Sequence, residues 1–162
     1  MKITRFEDIE AWQEARSLVS QVYDAIRRNK EFKRDFRLVG QIQGAAVSTM
    51  SNIAEGFSRK SNKEFIQYLF ISKSSAAEVQ SHLYVALDQE YIDEGTFERI
   101  YKQAEKVSKL DSGFIKYLSS QLKKRNRQKE HANRDVLNKP NELAEPKKPD
   151  QLKELNKPNQ PK

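Results

Sequence analysis

The chain reads as an all-α protein, an antiparallel up-down-up-down four-helix bundle followed by a disordered C-terminal tail. Three observations predict this. Apolar residues recur at alternating steps of three and four in four successive segments, the mark of a helix with one buried face. All five prolines (Pro140, Pro146, Pro149, Pro158, Pro161) lie at or after residue 140, so none interrupts a helix before that point. No segment shows the strict polar–apolar alternation of a half-buried strand.

The first helix is expected from about Phe6 to Asn29, on the stripe Trp12, Ala15, Val19, Val22 and Ile26. Thr4 and Glu7 have the spacing of a capping box at its start. The second runs from about Asp35 to Glu55 on Val39, Ile42, Ala46, Thr49 and Ile53, and Gly56 is placed to end it in the left-handed conformation. Gly40 and Gly44 lie inside it, where each costs about 1 kcal/mol relative to alanine. That points to close approach by a neighbour, or else to simple tolerance.

The third opens on Ser61-Asn62-Lys63-Glu64, a second capping box, and follows Phe65, Leu69, Ser72, Ala76, Val79, Leu83 and Ala86. Its first two turns, Phe65 to Ile71, are apolar or aromatic at every position but Gln67. A bundle hides one side of each helix, so Tyr68, Phe70 and Ile71 are candidate contacts with further copies of the chain. The alternative is a helix central to a monomeric core. The fourth helix runs from about Glu94 to beyond Leu122 on Phe97, Ile100, Ala104, Val107, Leu110, Phe114 and Leu118, with Ser112-Gly113 as a site for a bend. Linkers near 30–35, 56–61 and 89–94 are short, which favours antiparallel neighbours.

Charge divides the chain into a bundle, 1–122, and a basic Pro/Lys/Asn-rich tail, 123–162, with the fourth helix free to extend into its start. The first part holds 18 Lys and Arg against 17 Asp and Glu, the second 12 against 6. Within the tail Leu137-Asn138-Lys139-Pro140-Asn141 returns as Leu155-Asn156-Lys157-Pro158-Asn159, a low-complexity pattern with little to bury. The absence of cysteine excludes disulfides and thiolate metal sites. No apolar run reaches membrane-spanning length and the first residues lack the apolar core of a signal peptide, so a cytoplasmic location without a membrane partner is expected.

Catalytic equipment is not expected either. His82 and His131 are the only histidines, whereas a di-iron carboxylate bundle draws two Glu-x-x-His motifs from two helices. Glu78 and His82, four apart on one helix, read as a surface contact. There is no phosphate-binding glycine loop, nucleophile elbow or zinc-protease spacing. A non-enzyme without cofactor or metal follows.

Two poles carry the charge. At one, Arg27, Arg28, Lys30, Lys33, Arg34, Arg37 and Arg99 nearly cancel Asp88, Glu90, Asp93, Glu94 and Glu98, together with Asp24, Glu31 and Asp35. At the other, Arg59, Lys60 and Lys63 join Lys116, Lys123, Lys124, Arg125, Arg127 and Lys129, with Glu130 the first opposing charge after them. Arg59, Lys60, Lys63, Lys123, Lys124, Arg125, Arg127 and Lys129 are therefore candidate contacts to RNA or DNA through its phosphates. No aromatic follows Tyr117, so base stacking by the tail is not expected. The competing readings are a tail that only solubilises, and a scaffold that recruits protein.

One block is more specific than any spacing. Ser48-Thr49-Met50-Ser51-Asn52-Ile53-Ala54-Glu55-Gly56-Phe57, with Arg59 and Ser61 to Phe65, resembles the central motif of the 23S rRNA-intervening-sequence proteins. Phe6 to Gln13, Leu38 to Ala46 and Glu78 to Ile92 resemble further blocks of that family, in order. The likeness covers about residues 5–120 and leaves out the tail. Gly44 departs from the family, which often has a large residue there, as does the serine run at Ser72–Ser75, where a glycine is common. The resemblance implies an up-down bundle assembling as a homopentamer. For relatives that accompany diversity-generating retroelements it implies nucleic acid and a reverse transcriptase as partners. Asn52, Glu55 and Gly56, at a helix end, are expected to be structural.

Overall fold

The computed structural model describes residues 3–59 and 61–137. Among them are a 3-10 turn at Phe6–Asp8 and five helices: α1 Glu10–Arg28, α2 Lys30–Arg34, α3 Phe36–Ser58, α4 Asn62–Asp88 and α5 Glu94–Leu137. No described residue is in a strand. The chain divides into two compact units, Met1–Arg127 and Gln128–Lys162. The first holds the four long helical segments. The second begins inside α5, which continues well past residue 122; from residue 138 on, the expected tail lies outside the described residues.

Contacts in opposite chain order make neighbours antiparallel. Ser48 and Ser75 share a hydrogen bond of 2.9 Å, and Tyr68 donates to Glu55 at 2.8 Å, which runs α3 against α4. The Phe65 and Phe114 rings meet edge to face at 5.0 Å, and Gln80 donates to the Tyr101 carbonyl, which runs α4 against α5. Gln103 and Lys106 of α5 both bind Glu14 of α1 at 2.8 Å and close the bundle.

The spacing predicts a linker over 30–35, and the segment is instead the helix α2. Its cause is local. The Asn29 side chain accepts from the backbone N–H of Glu31 and Phe32, at 2.8 and 2.9 Å, and caps it. Phe32 is then buried and stacks on Tyr91. The expected Thr4–Glu7 box does not form: the Thr4 N–H and hydroxyl and the Arg5 N–H donate to the Asp8 carboxylate instead, at the 3-10 turn ahead of α1, whose own N-cap Ile9 has no side-chain bond. Of the box at Ser61, one half is present, the Glu64 N–H donating to the Ser61 hydroxyl at 3.4 Å. α5 passes Ser112 and Gly113 unbroken.

Gly56 does not end α3. The helix continues to Ser58, and no described glycine has positive φ. Gly40 and Gly44 have open space where a Cβ would stand, so no close neighbour within the subunit explains them. The α4–α5 turn instead places Glu90 in the left-handed region, at φ 57°, where the Tyr91 N–H reaches back to the Ala86 carbonyl at 2.8 Å.

The core forms two apolar clusters. The upper includes Leu18, Val22, Ile26, Phe32, Ile42, Val79, Leu83, Ile100 and Ala104; the lower includes Ile9, Ala15, Ile53, Phe65, Leu69, Val107 and Leu118. In α1 the fully buried positions are Ala11, Ala15, Leu18, Val22, Ala25 and Ile26, while Trp12 and Val19 pack half-buried at the side. Where the clusters meet, the interior turns polar: Thr49, Ser72 and Asp111 are all 0% exposed.

Candidate nucleic-acid interface

The outer side of α5 carries its charge in two halves. Opposite the buried residues Ile100, Ala104, Val107, Asp111 and Leu118, the helical period places Glu98, Lys102, Glu105, Lys109, Lys116, Lys123 and Arg127, all exposed. In the first half each lysine has its acid: Lys102 binds Glu98 at 2.8 Å, Lys109 binds Glu105 at 2.9 Å, and Lys106 binds Glu14 at 2.8 Å, while Arg99 is exposed and makes no ion pair among the described residues. Glu98 and Lys102 shift each other accordingly, the carboxylate pKa lowered and the ammonium pKa raised by their hydrogen bond. Beyond the buried Asp111 no acid occurs until Glu130. Lys116, Lys123, Lys124, Arg125 and Arg127 make no ion pair among the described residues, and all are exposed. The second half of the helix therefore shows uncompensated positive charge.

Arg59 does not belong to that surface. Its guanidinium donates to Glu55 and to the Tyr68 hydroxyl, both at 2.5 Å, and lies over the Tyr68 ring. Tyr68 in turn donates to Glu55 at 2.8 Å. Bonds from Tyr68 and Arg59 hold the Glu55 carboxyl below its ordinary range, and Glu55 and Tyr68 hold Arg59 more firmly protonated. The cluster ties the end of α3 to the first turns of α4.

The other expected contacts are scattered. Lys63 is exposed on the first turn of α4, and the Phe65–Phe114 contact sets that turn beside the stretch of α5 containing Lys116. Lys60 lies outside the described residues. Lys129 is exposed and belongs to the second compact unit. Asn52 donates back to the Ser48 carbonyl and hydroxyl, at 2.7 and 3.0 Å, and so serves its own helix. The Glu78–His82 spacing gives a 3.5 Å contact, with His82 half-buried.

One residue was missed. Tyr117 is 57% exposed and shares a face with Lys124, two turns on. Its neighbours Phe114 and Leu118 belong to the core stripe, and the position one before Leu118 in the 3.6-residue period is the signal that would have set it apart.

Large apolar side chains are also exposed on the outside of α3 and α4. Phe70 is 53% and Ile71 47% exposed, and Phe36, Val47, Tyr84 and Val85 are exposed as well, with Gly40, Gly44 and Ser51 on the same outer side of α3 as Val47. Tyr68 is not among them, being half-buried in the Glu55–Arg59 cluster.

A crystal structure of a protein of unknown function from the S23 ribosomal protein family of Bacteroides thetaiotaomicron has the same fold. It has 23% identity and a TM-score of 0.61, covering 65% of this chain and 98% of that one. Comparison with curated proteins yields no match. The profile described as 23S rRNA-intervening sequence protein matches residues 7–113, and the chain belongs to that family.

Proposed function

We propose that the chain is a non-enzymatic, cytoplasmic, self-associating bundle that binds RNA or DNA through the basic half of α5. One observation carries the reading: from Lys116 to Arg127 the helix presents five bases with no acid to neutralise them, whereas the three lysines before Asp111 are each paired. Such a surface meets phosphates without sequence preference and releases counterions on doing so, so affinity falls steeply with salt. Tyr117 on the same stretch adds one face for an unpaired base. Self-association draws on the exposed apolar side of α3 and α4, and repeated subunits multiply the phosphate contacts. A homopentamer, and a ribonucleoprotein or reverse transcriptase as the setting, are what membership of the family suggests.

Fluorescence anisotropy with labelled RNA and DNA oligonucleotides tests this, at about 50 mM salt and again at about 200 mM. The full chain binds at the lower salt, and the variant Lys123→Gln/Lys124→Gln/Arg125→Gln/Arg127→Gln loses at least tenfold. Binding that survives this change unaltered, or none at low salt by the unaltered chain, removes the proposal. A second reading, a scaffold that recruits protein without touching nucleic acid, is favoured by the same apolar surface. It predicts the second of those outcomes. No helix among the described residues is long and apolar enough to cross a membrane.

A further inference from the structure

Asp111 is the one charged side chain among the described residues that is fully buried. Neither of its carboxyl oxygens has a hydrogen-bond partner among the described residues. The polar groups around it are already engaged. Ser72 spends its single proton on the Thr49 carbonyl, at 2.9 Å, and Thr49 donates back to the Ala45 carbonyl, also at 2.9 Å. No side chain facing this part of the core hydrogen-bonds Asp111 or forms an ion pair with it. Buried in the same half of the bundle are Thr49 of α3 and Ala11 and Ala15 of α1. Of the α1 carboxylates in this half, Glu10 is exposed and Glu14 is held by Gln103 and Lys106. From α4 the cation is Lys73, whose ammonium lies over the Phe70 ring at 5.9 Å and forms no hydrogen bond with Asp111.

A carboxylate without donors in an apolar interior is costly, and the protonated acid is far less so. Burial accordingly pushes the Asp111 carboxyl up to about 7, the Ser72 hydroxyl and Lys73 charge opposing the rise without cancelling it. Asp111 also stands next to the place where the two apolar clusters meet, so the packing that resists opening is interrupted there.

We propose that Asp111 is a protonation-controlled latch on α5: as the neutral acid it lets α5 close on α3 and α4, and on losing its proton to water it drives local opening of the turns around it. The global fold persists, because the upper cluster, from Leu18 to Ala104, is untouched. Since the same helix goes on to carry Lys116 to Arg127, the latch governs how that basic stretch is presented. This last consequence alone rests on the nucleic-acid reading.

Hydrogen exchange of the full-length protein, without nucleic acid, tests the latch independently of that reading. Amide protection is compared at about pH 5.5 and pH 8 after correction for the intrinsic rate. Peptides covering 105–118 lose at least tenfold protection at the higher pH, whereas peptides of α4 covering 79–86 do not. In Asp111→Asn the difference disappears. Equal protection of 105–118 at both pH values, or the same loss in Asp111→Asn, overturns the proposal. If that variant does not fold, carbon NMR of the Asp111 carboxyl in the unaltered chain decides. A midpoint near neutrality upholds the latch and one in the ordinary range of about 4 ends it.

Discussion

Gly56 of α3 lies so close to α4 that a Cβ built on it would stand 2.6 Å from Cδ2 of Phe65 and 2.7 Å from the Cβ of Tyr68. The Phe65 ring can turn, but the Tyr68 Cβ moves only with its backbone. Gly56→Ala therefore forces α3 and α4 apart at the turn that also carries the Glu55–Tyr68–Arg59 cluster. The expected cost is about 1–3 kcal/mol, read as a lower urea midpoint at unchanged slope. A variant as stable as the parent would mean that the helix end is looser than its packing indicates.

The other helical glycines behave in the opposite way. Gly113 is exposed, with nothing near enough to meet a new methyl group, so Gly113→Ala raises stability by about 0.5–1 kcal/mol. Gly40 and Gly44 are equally open within one subunit. At these two sites alanine is expected to stabilise the subunit by a similar amount while weakening self-association, because their face is the apolar one. Light scattering across a dilution series separates the effects. Association left untouched by Gly40→Ala/Gly44→Ala would place the subunit interface elsewhere.

Arg59 and Lys123 look alike as candidate phosphate contacts in sequence and differ in space. The Arg59 donors are occupied by Glu55 and Tyr68, and Lys123 is exposed without an acid partner among the described residues. Arg59→Gln is expected to leave nucleic-acid affinity within about twofold. Lys116→Gln/Lys123→Gln/Arg127→Gln lowers it and flattens the dependence of log K on log salt by about 0.7–0.9 for each phosphate no longer neutralised. The reverse ranking would assign the interface to the α3–α4 turn.

The four long helices were legible because a 3.6-residue stripe needs nothing beyond the chain itself to be recognised. Gly56 was not, since a glycine near a helix end is compatible both with a left-handed cap and with tight packing, and only the position of Phe65 and Tyr68 decides between them. α2 has its cap in the local Asn29, but the burial of its Phe32 against Tyr91 joins residues far apart in sequence. The turn at Glu90 carried no glycine to announce its positive φ. As for the candidate site, the run of bases was plain in sequence, but which of them were already paired was not. The spacing of Lys102 and Lys109 from their acids suggests pairing, whereas Lys106 finds Glu14 only across the bundle.

Stability against pH combines two opposite trends. Asp8, Glu14 and Asp93 are hydrogen-bonded as carboxylates, to the Thr4 backbone, to Lys106 and to the Thr96 backbone respectively, and their pKa values are lowered. Groups of this kind contribute stability above their unfolded pKa, and that contribution is lost as pH falls below about 4. Asp111 works the other way. It titrates near 3.8 unfolded and at about 7 folded, so the native state holds the extra proton between these values. Its contribution is complete below 3.8, drains away as pH rises toward 7, and changes no further above that. The melting temperature is thus expected to peak in acidic buffer, between about pH 4 and 5, and to decline into the neutral range. Roughly 4 kcal/mol is the most that one buried acid shifted this far can remove. Asp111→Asn abolishes the decline between pH 5 and 8 and leaves the fall below pH 4 intact. A decline of the same size in that variant would assign the neutral-range loss to another group.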